Sequence, residues 1–331
     1  MSGTYTFLGP EGTFTEAALL QVPGAAAAHR IPAANVSGAL ELIRNGTAEA
    51  AMVPIENSVE GGVSATLDAI ATGDPLQILR EELVPIRFVL VARPGLALAD
   101  IEAVSTHTHA WAQCRRWSEA NIPQAAYLPG SSTAAAAVGL LDDNCPYDAA
   151  ICSPLVAEQR GLHVLAEDIG DISDAVTRFI LVSRPNRLPE PTGSDKTTLV
   201  VPLPEDRPGA LMEILEQFGT RGVNLSRIES RPTGQFLGDY FFSFDVDGHL
   251  AEQRVADAVR GLHRISPDTR FLGSYPAPTA APPRCPGTIR TKHSVRRMNG
   301  SSGCCSLPET PLSFRWHHLL SKLIEVGAEQ Y

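Results

Sequence analysis

Three short segments gather side chains able to hold an oxygen-rich small molecule. At Thr177-Arg178-Phe179 a hydroxyl and a guanidinium stand just before an apolar run, Phe179-Ile180-Leu181-Val182. Arginine grips a carboxylate through two parallel hydrogen bonds, so this pair at the mouth of a sheet suits a substrate bearing carboxylates. From the residues alone, a strand start with a solvated arginine is the commoner arrangement. Pro54-Ile55-Glu56-Asn57-Ser58 ends a β-rich run ahead of Gly61-Gly62. Its Asn and Ser either line a site or cap a helix, a task for which both are favoured. Gly130-Ser131-Ser132-Thr133-Ala134 opens an Ala-rich helix. Free N–H groups there can meet an anion, or the hydroxyls serve as ordinary caps.

Other chemistries are excluded. The loop Gly9-Pro10-Glu11-Gly12-Thr13-Phe14 contains glycines but is neither GxGxxG nor a Walker loop, so nucleotide binding has no support. His107 and His109 lie two apart with no further metal ligand at suitable spacing, and no metal is expected. No GxSxG and no local signature of a nucleophilic cysteine occurs. The 331 residues include 37 Asp/Glu against 27 Lys/Arg, a net charge of −10. An acidic chain without a basic stripe argues against a nucleic-acid partner. No apolar stretch is long enough for a membrane helix, and no secretory signal is visible. Six cysteines without paired CxxC spacing read as reduced thiols in a cytoplasmic protein.

These segments need strands and helices to hold them. Residues 4–8 and 50–55 predict strands, with helices over 37–44 and 63–71. The continuous apolar run 86–92 predicts a buried parallel strand. Short strands are expected at 103–105, 125–128, 149–151 and 179–182, with helices at 110–119 and 133–141 between them. This alternation predicts an α/β region over 1–183 with a largely parallel sheet and ligands at the strands' carboxyl ends. Residues 184–195, with three prolines, predict a linker. In 196–275, Leu211, Ile214, Leu215 and Phe218 mark one helix face, and Tyr240, Phe242, Phe244 and Val246 one strand face. Their order predicts a ferredoxin-like βαββαβ unit. Residues 276–331, basic and rich in Ser and Cys, predict disorder or loose packing.

Taken together and in order, FLGPEGTFTEAA, VPIENSVEGGV, STAAAA and TRFILVSR resemble the prephenate dehydratase family over residues 4–275. RPGALMEILEQFGTRGVNLSRIESRP is similar to a regulatory ACT domain. The resemblance implies two α/β lobes like a type II periplasmic binding protein, with substrate between them. It implies that Thr177 is the essential hydroxyl. It places Asn57, Ser58, Thr106, Gln113, Ser132, Thr133, Arg178 and Phe179 at the substrate. His107-Thr108-His109 departs from the family's His-Pro-Gln. No cofactor is implied, because aromatisation of the ring drives loss of carbon dioxide and hydroxide. The ACT-like unit implies phenylalanine bound between paired ACT domains by Gly209, Ala210, Leu211, Asn224, Leu225, Glu229 and Ser230, hence a homodimer or homotetramer. Arogenate dehydratase and a non-catalytic amino-acid sensor are the alternatives that these residues leave open.

Overall fold

A computed structural model describes residues 3–233 and 240–278; the stretch expected to be disordered lies, from 279 onward, outside the described residues. The first lobe is built from β1 (Thr4–Leu8), α1 (Phe14–Leu20), β2 (His29–Ala33), α2 (Val36–Arg44), β3 (Ala50–Asn57), β4 (Gly61–Gly62), α3 (Ser64–Ala71) and β5 (Gln77–Pro85). The second lobe holds β6 (Val89–Ala92), β7 (Ala103–Thr106), α4 (Thr108–Gln113), α5 (Arg115–Asn121), β8 (Ala126–Pro129), α6 (Thr133–Gly139), β9 (Ala149–Cys152), α7 (Pro154–Arg160) and β10 (His163–Ala166). The chain then returns to the first sheet as β11 (Val176–Ser183).

The two sheets share one plan. Their orders are β2-β1-β3-β11-β5 and β8-β7-β9-β6-β10. In each, three parallel strands are followed by a crossover strand antiparallel to both of its neighbours. This is the two-lobed, type II periplasmic-binding-protein-like architecture, with mixed rather than largely parallel sheets. The run 86–92 is corrected accordingly: only Val89–Ala92 is strand, and it is antiparallel. The reason is directional. A strand that starts at the cleft must run away from it, whereas β1, β3, β7 and β9 end there. The expected helix over 110–119 is two helices that meet at Cys114.

Local chemistry sets the helix starts. The side chains of Thr13, Asn35, Ser132 and Ser153 each accept a backbone N–H at the first turn of their helix, and Pro154 opens α7, where it lacks only an N–H that has no helical partner. Close backbone approach joins the lobes at Gly12: φ is +79°, and a Cβ there would stand 2.5 Å from Val156 Cβ. Ser153 Oγ donates 2.6 Å to the Gly12 carbonyl, tying α7 to the first loop.

The third sheet, order β13-β14-β12-β15, belongs to β12 (Asp195–Pro202), α8 (Ala210–Gly219), β13 (Leu225–Pro232), β14 (Tyr240–Asp247), α9 (Gln253–Ile265) and β15 (Arg270–Pro276). All its pairings are antiparallel, the ferredoxin-like βαββαβ arrangement. One face carries its own core of Leu199, Val201, Ile214, Phe218 and Leu262. From the other face Val200, Phe241, Leu272 and Tyr275 enter the core of the first lobe beside Ile78, Ile180 and Val182. Burying a large apolar side chain is worth ~1.5–3 kcal/mol, so this shared core is a firm attachment.

Candidate active site

The site is centred where β3 ends and β11 begins. Thr177 lies opposite Asn57 in the antiparallel register. Asn57 Nδ2 donates 2.7 Å to Thr177 Oγ1. The amide orientation follows from its other end: Asn57 Oδ1 accepts the N–H groups of Val59 at 2.8 Å and Glu60 at 3.1 Å. Two backbone donors demand the oxygen there, so nitrogen faces the threonine. The threonine oxygen therefore accepts, and its own proton is left to donate elsewhere. Ser58 clamps the same junction: its N–H donates to the Val176 carbonyl, and its Oγ accepts the Val176 N–H, both at 2.9 Å. Register slips between Arg178 and Phe179, leaving Ile55 of β3 without a counterpart on β11. Such a bulge re-aims neighbouring side chains.

The second lobe supplies the rest. Thr106, at the carboxyl end of β7, is fully buried, and its Oγ1 donates 2.7 Å to the Ile151 carbonyl. That hydroxyl proton is engaged inside the lobe rather than available to a substrate. Thr106 pairs with Pro129, one residue before Gly130, so Ser132 and Thr133 follow from the neighbouring strand end. Ser132 Oγ accepts the Ala135 N–H at 2.9 Å as the cap of α6, and Thr133 begins that helix. Gln113 reaches across to the first lobe, where its Nε2 donates 3.2 Å to Glu60 Oε1. His109 Nδ1 contacts the other oxygen of Glu60. The rings of His107 and His109 stack, with centroids 5.0 Å apart. Burial first, then the neighbouring His109, lower the His107 pKa, against an upward pull from Glu60. Glu60 and His109 were not among the expected site residues. Their sequence signals were the place of Glu60 within VPIENSVEGGV and the ring at 109, where the family has Gln.

Arg178 and Phe179 require correction. Side chains alternate along a strand, so Thr177 and Arg178 point to opposite faces. Arg178 is buried and does not face the cleft. It pairs with Glu81 and with Asp245 (2.5 Å), donates 3.0 Å to Tyr275 Oη, and approaches Glu56 at 3.5 Å. Phe179 is packed with Phe7, Leu19, Met52 and Leu181 in the core under α1. With Arg178 engaged there, the expected cleft residues are hydroxyls and amides, joined by the two imidazoles of the α4 start.

The expected effector residues fall in two places. Gly209, with φ +90°, precedes α8, whose first residues are buried Ala210 and half-buried Leu211. Asn224 and Leu225 lie past the other end of α8, where Asn224 Nδ2 donates 2.6 Å to Asp247. Ser230 is exposed on β13, while Glu229 accepts from Arg227 at 3.2 Å and faces the first lobe. A Cβ on Gly62 would stand 2.0 Å from the Glu229 carboxylate, so a larger residue there would make that carboxylate swing aside.

Among the described residues no helix is long and apolar enough to cross a membrane. Residues 5–187 match the sequence profile of prephenate dehydratase. A prephenate dehydratase of Amycolatopsis methanolica is 45% identical over 270 residues, 81% of this chain and 87% of the relative. The crystal structure of prephenate dehydratase from Arthrobacter aurescens in complex with L-Phe is 74% identical, covers 82% of this chain and 90% of its own, and superposes with a TM-score of 0.79. A structure named GqqA, described as a novel type of quorum quenching acylase, is 31% identical over 83% of this chain and 98% of its own, with a TM-score of 0.74. The fold, the order of motifs and these relatives agree, and the chain belongs to the prephenate dehydratase family.

Proposed function

We propose that residues 1–183 convert prephenate to phenylpyruvate, carbon dioxide and water, with Thr177 as the hydroxyl at the leaving group. One observation carries the reading: Asn57 donates to Thr177 Oγ1, so the threonine proton is not spent on that amide and can be given to a bound substrate. Prephenate carries a ring carboxylate, a 4-hydroxyl and a pyruvyl side chain. As carbon dioxide departs, its bonding electrons enter the ring and the 4-oxygen leaves with its pair, drawing a proton. A threonine hydroxyl is a weak acid, so its part is a hydrogen bond to the departing oxygen or relay of a proton to it. Positioned donors of this kind are worth ~10²–10⁴ in rate. Ser58, Gln113, Ser132 and Thr133 hold the carboxylates and the keto group.

An acyl-transfer reading finds no activated nucleophile at Thr177, Cys114 or Cys152. The hydrogen bond to Thr177 comes from an amide, which is no base. Burial pushes the Cys152 thiol up to about 12 and raises Cys114 as well, so neither supplies a ready thiolate.

Residues 196–275 are read as an ACT domain that binds L-phenylalanine and lowers turnover. The segment of Gly209, Ala210 and Leu211 and that of Asn224 and Leu225 lie at opposite ends of the ten-residue α8. A pocket using both is built from two copies of the chain, which supports a homodimer or homotetramer in the cytoplasm. The test is release of phenylpyruvate from prephenate, with and without phenylalanine. Turnover that phenylalanine suppresses is expected. No phenylpyruvate would remove the catalytic reading, and no heat on titration with phenylalanine would remove the effector reading. Arogenate, read out as phenylalanine, distinguishes the sister dehydratase.

A further inference from the structure

Immediately behind the Thr177–Asn57 pair lies a buried charge cluster that the reaction does not use directly. Arg178 and Glu56 are the next pair in the same register. Arg178 joins Glu81 of β5 to Asp245 of β14 and Tyr275 of β15. Asp245 also accepts from Arg227 Nε at 2.9 Å and from Thr198 Oγ1 at 2.8 Å. Thr198 shares a 2.6 Å hydrogen bond with Tyr275. Lys196 donates 2.7 Å to the second oxygen of Glu81, and Arg227 reaches Glu229 at 3.2 Å. Three cations thus face four carboxylates. Glu81 and Asp245 are almost wholly shielded, with side chains 0% and 1% exposed.

Groups so buried have no water to replace a lost partner, so the cluster is held together or badly broken. Its geometry is stiff for the same reason. Burial disfavours charge on Asp245, but Arg178 and Arg227 outweigh it and hold the carboxyl well below the usual range. Asp245 is therefore ionised at neutral pH between its two arginines, and displacement of one strand displaces the others.

We propose that Arg178 is a positioning residue for Thr177, fixing the first residues of β11 against the ferredoxin-like sheet and carrying the placement of β13 and β14 to the Thr177–Asn57 pair. The inference rests on the reading of Thr177 as the catalytic hydroxyl. Two contacts run from β13 to the pair. One is the chain Glu229–Arg227–Asp245–Arg178. The other is Glu229 against Gly62, which pairs with Glu56 next to Asn57.

Arg178→Lys tests it, since one ammonium keeps the charge but cannot span three partners. Without phenylalanine, kcat is expected to fall ~10–100-fold, the penalty of a misplaced reacting group, while KM for prephenate stays within about twofold. Tyr275→Phe, which removes one hydroxyl from the cluster, is expected to lower kcat by a smaller factor with KM again unchanged. Wild-type kcat in a folded Arg178→Lys protein overturns the inference. So does a raised KM at intact kcat, which returns Arg178 to the substrate. Should Arg178→Lys not fold by thermal melting, Tyr275→Phe decides, and wild-type kcat there overturns the proposal. Thr177→Ala runs alongside. If it keeps turnover, the reading of Thr177 fails; if it is inactive while both cluster variants are normal, only the positioning role fails.

Discussion

Thr177 and Arg178 are consecutive residues on one strand, and they inhabit opposite worlds. Thr177, proposed as the catalytic hydroxyl, is as buried as its neighbour but meets one amide donor and keeps a proton to give. Arg178 is enclosed by two buried carboxylates and a phenol. The first environment is built from neutral groups. The second is rigid, because each charge depends on all its neighbours. The contrast teaches that a two-residue motif can place its chemistry on one side of a sheet and its support on the other.

The largest effect belongs to the cleft side. Thr177→Ala is expected to lower kcat ~10²–10⁴-fold while KM for prephenate stays near wild type, as for loss of a donor acting at the transition state. Steady-state release of phenylpyruvate measures it. Unchanged kcat would break the comparison at its first member.

The second effect is on stability. Asp245→Asn leaves Arg178 and Arg227 short of a counter-charge in the interior and is expected to destabilise the fold by ~3–5 kcal/mol. The sign with pH follows from the depressed folded pKa of Asp245. Its contribution is whole above the ordinary aspartate value, ~3.9, and is lost only as pH falls from there toward the lower folded value. Denaturant titrations should therefore show the same gap between wild type and variant at pH 7 and pH 5, closing only in stronger acid. A gap already closed at pH 5 would mean that the carboxylate is not the one these arginines hold.

Much of this was legible before the fold was known. The α/β region, the linker and the βαββαβ unit follow from periodicity and turn residues, whereas the division into two lobes and the placing of Asn57 and Thr177 at one site follow from the family resemblance. The faces of β11 were legible too: period-two alternation alone separates Thr177 from Arg178, yet a guanidinium beside a hydroxyl reads as one grip. The strand Gln77–Pro85 was hidden, because Arg80, Glu81 and Glu82 interrupt its apolar pattern. Glu81 is buried only because Arg178 and Lys196 converge on it from other strands. Partners contributed from 97 and 115 residues away leave no local trace.

Asn57→Ala is a milder probe of the cleft side. It removes the donor to Thr177 and the acceptor for two turn amides, leaving the threonine free to rotate. A kcat reduction of ~10-fold is expected, smaller than for loss of the hydroxyl itself, because the reacting group is present but less well placed. A loss equal to that of Thr177→Ala would instead give Asn57 its own contact with the reacting atoms.

The smallest effect lies at the rim, where the lobes meet through α4. His107 Nδ1 accepts the His109 N–H at 3.4 Å, capping the helix that carries Gln113 to Glu60. A ring can accept there only while neutral. Burial, then the neighbouring His109, depress the pKa of His107, so the neutral ring's contribution is whole above the ordinary imidazole value, ~6.5, and is lost as pH falls through the lower folded value. The His109–Glu60 contact is well exposed, at 60% and 38%, and such pairs are worth about 0–1 kcal/mol. Loss of the cap is therefore expected to prevail. KM for prephenate should rise by no more than about threefold in mild acid for the wild type, the scale of a weak helix cap, and stay flat in His107→Asn. Asparagine supplies a capping oxygen that does not titrate. An equal acid-side rise in both proteins would assign the change to the substrate or to another group, and would leave the rim without a part in holding the lobes together.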